Sequence, residues 1–454
     1  MNNNWTPLHS KVLNSIFFAL NSHKIDWLII RNYNGLPDHN YSKDIDIAIK
    51  RKNWMQAEKI VLQIFRSNGF DYYDVKQYTY ICCYTFFNKD GYSFKLDFFD
   101  CNEYRGLITH DFDLLNVHKI QTWKMVYGSS DLHNSLIVFI RPLLASGKVK
   151  EKYIPEILNY YRQCPALFEE ELSRLLGHDL TKLISGYLNE DHIKDICALT
   201  KPIKRQVLKY NLKSYGLKTY IRIAKHYIDT FLIRFKTVFH GQFIAVLGAD
   251  GTGKSTFINQ LTKQITFYYS LDLSKSHIYH HRPTILPNLG VVGEKSGIMK
   301  ADTDFTNPHR AKPTGFFSSL IRMSYYWLDY LVGVPLMRCK DVRLDKLTIY
   351  DRYIYDFLID PRRTRINLPY WIRNLFVKTV MQPHVVFVLV ADAQTIYSRK
   401  QELTLEEINR QLKELKKLSK THKRFVVINA NQSPEKMADN AMKVILDRFT
   451  TKIL

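Results

Sequence analysis

Residues 248–255 read Gly-Ala-Asp-Gly-Thr-Gly-Lys-Ser, and this octet constrains the fold more than any other feature of the 454-residue chain. It follows an apolar run, Phe243–Leu247, and precedes a stretch with helical spacing that starts near Lys254. Glycines let successive backbone N–H groups turn inward around an oxyanion, and the first turn of a helix adds the positive end of its dipole. Strand, loop and helix in that order make a phosphate cradle, in which Lys254 reaches terminal phosphates and the Ser255 hydroxyl ligates magnesium. The residues expected around a bound nucleotide are Gly248, Asp250, Gly251, Thr252, Gly253, Lys254, Ser255 and Thr256.

Such a loop needs a parallel sheet behind it. Phe243–Leu247, Leu347–Tyr350, Val385–Val390 and Arg424–Ile428 have strand character with helical stretches between and after, which predicts a parallel α/β sheet over 241–454. The first 115 residues read differently. Leu8–Leu20 and Trp54–Phe65 have helical period, Trp27–Ile30 and Asp44–Ile49 read as strands, and Tyr78–Phe87 with Tyr92–Phe99 read as a hairpin turning at Asn88-Lys-Asp-Gly91. This predicts an α+β domain over 1–115, with a helical middle region over 116–240. In 201–240 ten Lys or Arg stand against the single acid Asp229, a large part of the formal charge of +22. A solvated helix face and an anion-binding surface both fit that stretch.

Other classes are excluded by what is missing. The six cysteines include no C-x-x-C pair, which argues against a zinc module or a disulfide framework. The apolar runs Leu136–Ile140 and Val385–Ala391 are far shorter than the ~18 residues of a spanning helix, and Met1–Trp5 does not start a secretory signal. The chain reads as reduced and cytoplasmic, with peripheral membrane contact left open.

The octet, with an acid inside the loop, resembles thymidylate kinases and related nucleoside-monophosphate kinases. Ile349-Tyr-Asp351-Arg352-Tyr353 looks like their Asp-Arg-Tyr motif, and Ser398-Arg399-Lys400-Gln-Glu402 looks like their lid. The resemblance implies ATP and Mg2+ as cofactors, Asp351 near the metal, Arg352 on the acceptor, and Arg399 and Lys400 closing on the transferred phosphoryl group. After Tyr353 the chain departs from the thymidylate pattern, so the acceptor stays open. The arrangement also resembles the thymidylate-kinase-like proteins found among bacterial surface-polysaccharide biosynthesis proteins. Arg282, His309, Arg310, Lys312, Arg362 and Arg363 are cations on proline-stiffened loops and would suit an anionic acceptor, together with Asp250.

Asp44-Ile-Asp46 puts two carboxylates on one face of a strand, and Asp97 lies on a second strand; convergent carboxylates can hold magnesium. The order of elements resembles the nucleotidyltransferase fold, which implies Asp44, Asp46 and Asp97 as metal ligands. The usual Gly-Ser or Gly-Gly pair is replaced by Arg31–Pro37, where Arg31 offers a cation for phosphate. The expectation is a kinase fused to a nucleotidyltransferase, activating a sugar, polyol or similar precursor. A kinase with an amino-terminal binding module, and an ATP-gated nucleic-acid-binding protein, are the alternatives. No RNA-recognition or helix-turn-helix signature favours the latter.

Overall fold

The computed structural model describes residues 5–40, 42, 44–88, 93–122, 126–236, 242–268, 276–287, 314–343 and 346–453, without the side chains of 233–236 and 342–343. It is a mixed α/β structure that divides into two compact units, Met1–Lys236 with Thr451–Leu454, and Thr237–Thr450. Among the described residues no helix is long and apolar enough to cross a membrane.

The first unit is built on a mixed sheet. Its strands are β1 (Trp27–Ile29), β2 (Ile45–Ile49), β3 (Phe70–Gln77), β4 (Ile81–Asn88) and β5 (Ser93–Phe99). A separate hairpin follows, β6 (Cys101–Tyr104) and β7 (Leu107–Asp111), and then the short strands β8 (Ile120–Gln121) and β9 (Tyr127–Gly128). With the chain's closing strand β15 (Thr451–Lys452), the large sheet runs in the order β15-β3-β4-β5-β2-β1-β9-β8. β2 is therefore an interior strand, and all five of its residues are buried. Ile45, Ile47 and Ile49 face a core shared with helices Pro7–Ser22 and Trp54–Ser67, whereas Ala48 faces a second cluster with Leu28, Ile30, Phe99 and Ile137. Helix Asp131–Ser146 supplies Ile137 and also enters a third, helical core with Leu172, Ile184 and Val207.

The expected β4–β5 hairpin is present as an antiparallel pair, although its turn, 89–92, lies outside the described residues. β3 lies outside the strands expected from the sequence. Its sequence, Phe-Asp-Tyr-Tyr-Asp-Val-Lys-Gln, alternates only weakly because its outer half is exposed or half-buried.

In the second unit β10 (Phe243–Leu247), β11 (Ser276–His280), β12 (Leu347–Asp351), β13 (Val385–Val390) and β14 (Phe425–Asn429) form one sheet in the order β11-β12-β10-β13-β14. Every pairing is parallel. All strands thus end at one edge. The chain leaves β10 for β11 and β12 on one side, then crosses to β13 and β14 on the other, so the order reverses beside β10. In such sheets ligands bind at that reversal, outside the carboxyl ends.

Candidate functional site

The loop after β10 occupies that position. Gly251 and Gly253 have φ of +92° and +83°, the left-handed region where a side chain strains the backbone. A Cβ on Gly251 would stand 2.8 Å from the Ile396 carbonyl oxygen and 3.2 Å from Lys400 Cβ, so the residue where helix Ala393–Arg399 ends lies against the loop. Thr252 Oγ1 donates to the Ala249 carbonyl at 2.8 Å. Lys254 Nζ is folded back onto the Gly248 and Ala249 carbonyls, at 3.0 Å each, and stands 3.5 Å from Asp250 Oδ1. Burial and the nearby Arg352 charge push the Lys254 ammonium down to about 8. Ser255 and Thr256 are exposed on the first turn of helix Lys254–Tyr268.

Asp250 is gripped from two sides. Arg352 Nη2 donates to its Oδ1 and Arg363 Nη2 to its Oδ2, the latter at 2.6 Å. Burial alone would raise its pKa, but Arg352, Lys254 and Arg363 outweigh burial and hold the carboxyl below its ordinary range. Arg352 stands at φ +69° just past β12, its backbone N–H bonded to the Val246 carbonyl at 2.9 Å. Its Nη1 reaches Asp356 Oδ2 at 2.7 Å. Burial pulls the guanidinium pKa down, yet Asp356 and Asp250 raise it above the usual value. Asp351 Oδ1 is buried and, among the described residues, has no hydrogen-bond partner, while Oδ2 lies 3.4 Å from His280 Nδ1. An orphaned carboxylate oxygen at the carboxyl end of β12 and an exposed hydroxyl at Ser255 are donor types that suit magnesium. His281 Nδ1 is 3.9 Å from Asp356, and burial pushes its imidazole down to about 4.

The remaining predicted cations divide. Arg282 is buried, stacked over the Tyr326 ring and paired with Asp329 Oδ2 at 3.2 Å. Arg362 is 62% exposed, with Glu407 at 3.7 Å. Arg399 donates to the Ala430 carbonyl at 3.2 Å and Lys400 pairs with Glu402 at 3.1 Å. His309, Arg310 and Lys312 lie outside the described residues. Asp356 was missed: it stands one helical turn after Arg352, the only sequence signal available.

In the first unit Asp46 and Asp97 are direct partners across the parallel β2–β5 pair. With Asp44 they form a group whose ligand oxygens all lie within 4.8 Å of one another. Asp46 Oδ2 accepts from Arg31 Nε at 2.6 Å, and its buried Oδ1 has no partner among the described residues. Burial raises the Asp46 pKa against the opposing Arg31 charge. Burial, then Asp46 and Asp44, push Asp97 up to about 8. Three crowded acids with a bare oxygen are a donor set that fits a hard divalent cation. Sequence reasoning missed Arg141. It follows Ile137 by one turn on helix Asp131–Ser146, its Nε is shut from solvent without a hydrogen-bond partner among the described residues, and its charge acts on Asp46 and Arg31.

No protein-family model matches the chain, and no curated protein matches it. Among solved structures the chain is similar to a crystal structure of thymidylate kinase from Ehrlichia chaffeensis, at 15% identity and a TM-score of 0.30, covering 45% of this chain and 98% of that one.

Proposed function

We propose that the second unit is an ATP-dependent phosphotransferase of the nucleoside-monophosphate-kinase kind. The observation that carries this reading is the glycine loop with Lys254 at the carboxyl edge of the sheet, beside the Arg352 and Arg363 pair gathered on Asp250. An acceptor oxygen attacks the γ-phosphorus, a new P–O bond forms, the bond to the β–γ bridging oxygen breaks, and ADP leaves. Lys254, with Arg399 and Lys400, neutralises charge on the transferring group; Asp250, Arg352 and Arg363 orient an acceptor that is itself anionic. Ser255 and Asp351 would hold magnesium, which supplies further charge neutralisation. The test is ATP binding by titration calorimetry and ADP formation, in the parent and in Lys254→Ala. Equal ATP affinity and turnover in both proteins would overturn the reading.

A second reading, for the first unit, is favoured by the Asp44, Asp46 and Asp97 cluster: metal-dependent nucleotidyl transfer. The phosphate made by the kinase would attack the α-phosphorus of a nucleoside triphosphate, releasing pyrophosphate, with Arg31 and Arg141 opposite the triphosphate charge. The coupled product would be an activated sugar or polyol for surface polysaccharide, made in the cytoplasm. Asp44→Asn with Asp46→Asn separates the readings: loss of pyrophosphate release with intact ADP formation supports the fusion, and no change in either leaves the first unit as a binding module.

A further inference from the structure

Helix Lys218–Lys236 packs on the first unit through a mainly polar set of side chains, Thr219, Arg222 and Asp229, with Ile223 the apolar residue packed against the helical core. Thr219 is fully buried and donates to the Asn211 carbonyl at 2.9 Å. Arg222 reaches Asn211 Oδ1 at 3.4 Å and lies over the Tyr215 ring, and Asp229 accepts from Thr79 Oγ1 at 2.6 Å. The packing is tight at the β6–β7 turn: a Cβ on Gly106 would stand 2.7 Å from the Arg222 and Ile223 backbone.

The opposite side is apolar and faces water. Leu217 is 79% exposed, Ile221 66% and Ile228 56%, and Tyr220, Phe231 and Leu232 are exposed with them. Positions 217, 221, 228 and 232 share one helical face. Amphipathic helices of globular proteins bury their apolar stripe; this helix leaves most of its apolar residues outside and packs mainly through polar ones, and an apolar patch of that kind marks an interaction surface.

The charge on this helix and the one before it selects the occupant. Lys218 and Lys225 flank the stripe and are exposed, and Lys201, Arg205, Lys209 and Lys213 form an exposed ridge at four-residue spacing on the preceding helix, Thr200–Tyr215. Two copies of this chain would bring like-charged ridges together. A nucleic acid would meet the cations but offers no apolar medium for Ile221 and Ile228. An anionic bilayer supplies both, headgroup charge for the ridge and acyl chains for the stripe. We propose that helix Lys218–Lys236 lies in the surface of an anionic membrane, with Leu217, Ile221 and Ile228 inserted and the Lys201–Lys213 ridge on the headgroups.

The test is co-sedimentation of the full chain with vesicles of phosphatidylcholine alone and of phosphatidylcholine with phosphatidylserine. The expected result is binding to the anionic vesicles only, weakening as salt rises. Ile221→Glu with Ile228→Glu, both at exposed positions that leave the packed side untouched, should lower vesicle affinity by about tenfold or more with an unchanged unfolding temperature. Lys209→Glu with Lys213→Glu should weaken binding and flatten its salt dependence. Absence of binding to anionic vesicles, or equal binding by the Ile221/Ile228 variant, overturns the proposal. So does a parent dimer that the same variant dissociates in the absence of vesicles, or binding to RNA with none to vesicles.

Discussion

The two polar centres of this chain are built on opposite balances of charge. Around β2 and β5, Asp44, Asp46 and Asp97 crowd together with an ion pair from Arg31, and Asp97 is pushed up to about 8. Around the glycine loop Asp250 and Asp356 are interleaved with Arg352, Arg363 and Lys254, and Asp250 is held below the usual range. The first centre has carboxylate oxygens in excess of cations and would be stabilised by adding a positive ion. The second is internally paired, so a ligand must exchange partners: a phosphate takes a guanidinium only as Asp250 or Asp356 gives it up. On the proposed function, one would be a cation site by deficit and the other an anion site by substitution.

Removing a carboxylate should therefore have opposite signs in the two places. Asp250→Ala leaves Arg352 and Arg363 without their shared partner, and breaking a buried pair from one side costs about 3–5 kcal/mol. The unfolding transition of the second unit should drop accordingly in a denaturant titration. A change within error would show that the Asp250 clamp contributes nothing to stability and would dissolve the contrast.

Asp97→Asn relieves crowding instead of creating it. In EDTA near neutral pH this variant should be more stable than the parent, since Asn carries no charge to bury, and it should lose most of the stabilisation that Mn2+ confers on the parent. A destabilised Asp97→Asn protein in EDTA would mean that Asp97 is a needed partner of its neighbours and not a strained one.

The same contrast has a pH signature. Burial, with Asp46 and Asp44 beside it, pushes Asp97 up to about 8 in the folded protein, against about 3.9 when unfolded, so between those values the folded chain holds a proton that the unfolded chain does not. Its contribution is fully present below about pH 4 and is lost as pH rises toward 8. In EDTA the parent should lose stability relative to Asp97→Asn across that window. Parallel pH profiles for the two proteins would remove the case for a crowded site.

The two centres also differ in how far they could be read from sequence. The glycine loop is local: eight consecutive residues, flanked by a buried strand and a helix, define it. The Asp44-Ile-Asp46 face follows from strand alternation, and Asp97 is one strand away. What closes each site is not local. Arg352 and Arg363 reach Asp250 across about a hundred residues of chain, and no spacing rule says which of several loop cations will do so. Arg141 enters from a helix whose sequence reads as plain core. β11 escaped notice for a different reason: at the end of the sheet, Ser276-His-Ile-Tyr-His280 is only half-buried, so burial never demanded an apolar run. β15, two exposed residues long, has no sequence signature at all.

The finest test of the paired centre compares neighbours. Arg362 and Arg363 share a short helical turn and read alike in sequence, but only Arg363 makes a close bond to Asp250, at 2.6 Å, while Arg362 is largely in solvent with Glu407 at 3.7 Å. A hydrogen bond to a buried charge is worth about 1.5–3 kcal/mol, whereas an exposed pair contributes about 0–1 kcal/mol. Arg363→Ala should thus lower the stability of the second unit by about 1–2 kcal/mol, and Arg362→Ala by less than about 0.5 kcal/mol. Kinetics should separate them in the other direction. Because Arg362 is not committed to a carboxylate at hydrogen-bond distance, its loss should raise the acceptor KM without altering the pH profile or kcat, whereas loss of Arg363 frees one oxygen of Asp250 and should change both. Equal effects of the two substitutions on stability would mean that Asp250 is held by Arg352 alone, and that the second centre is a single ion pair and not a clamp.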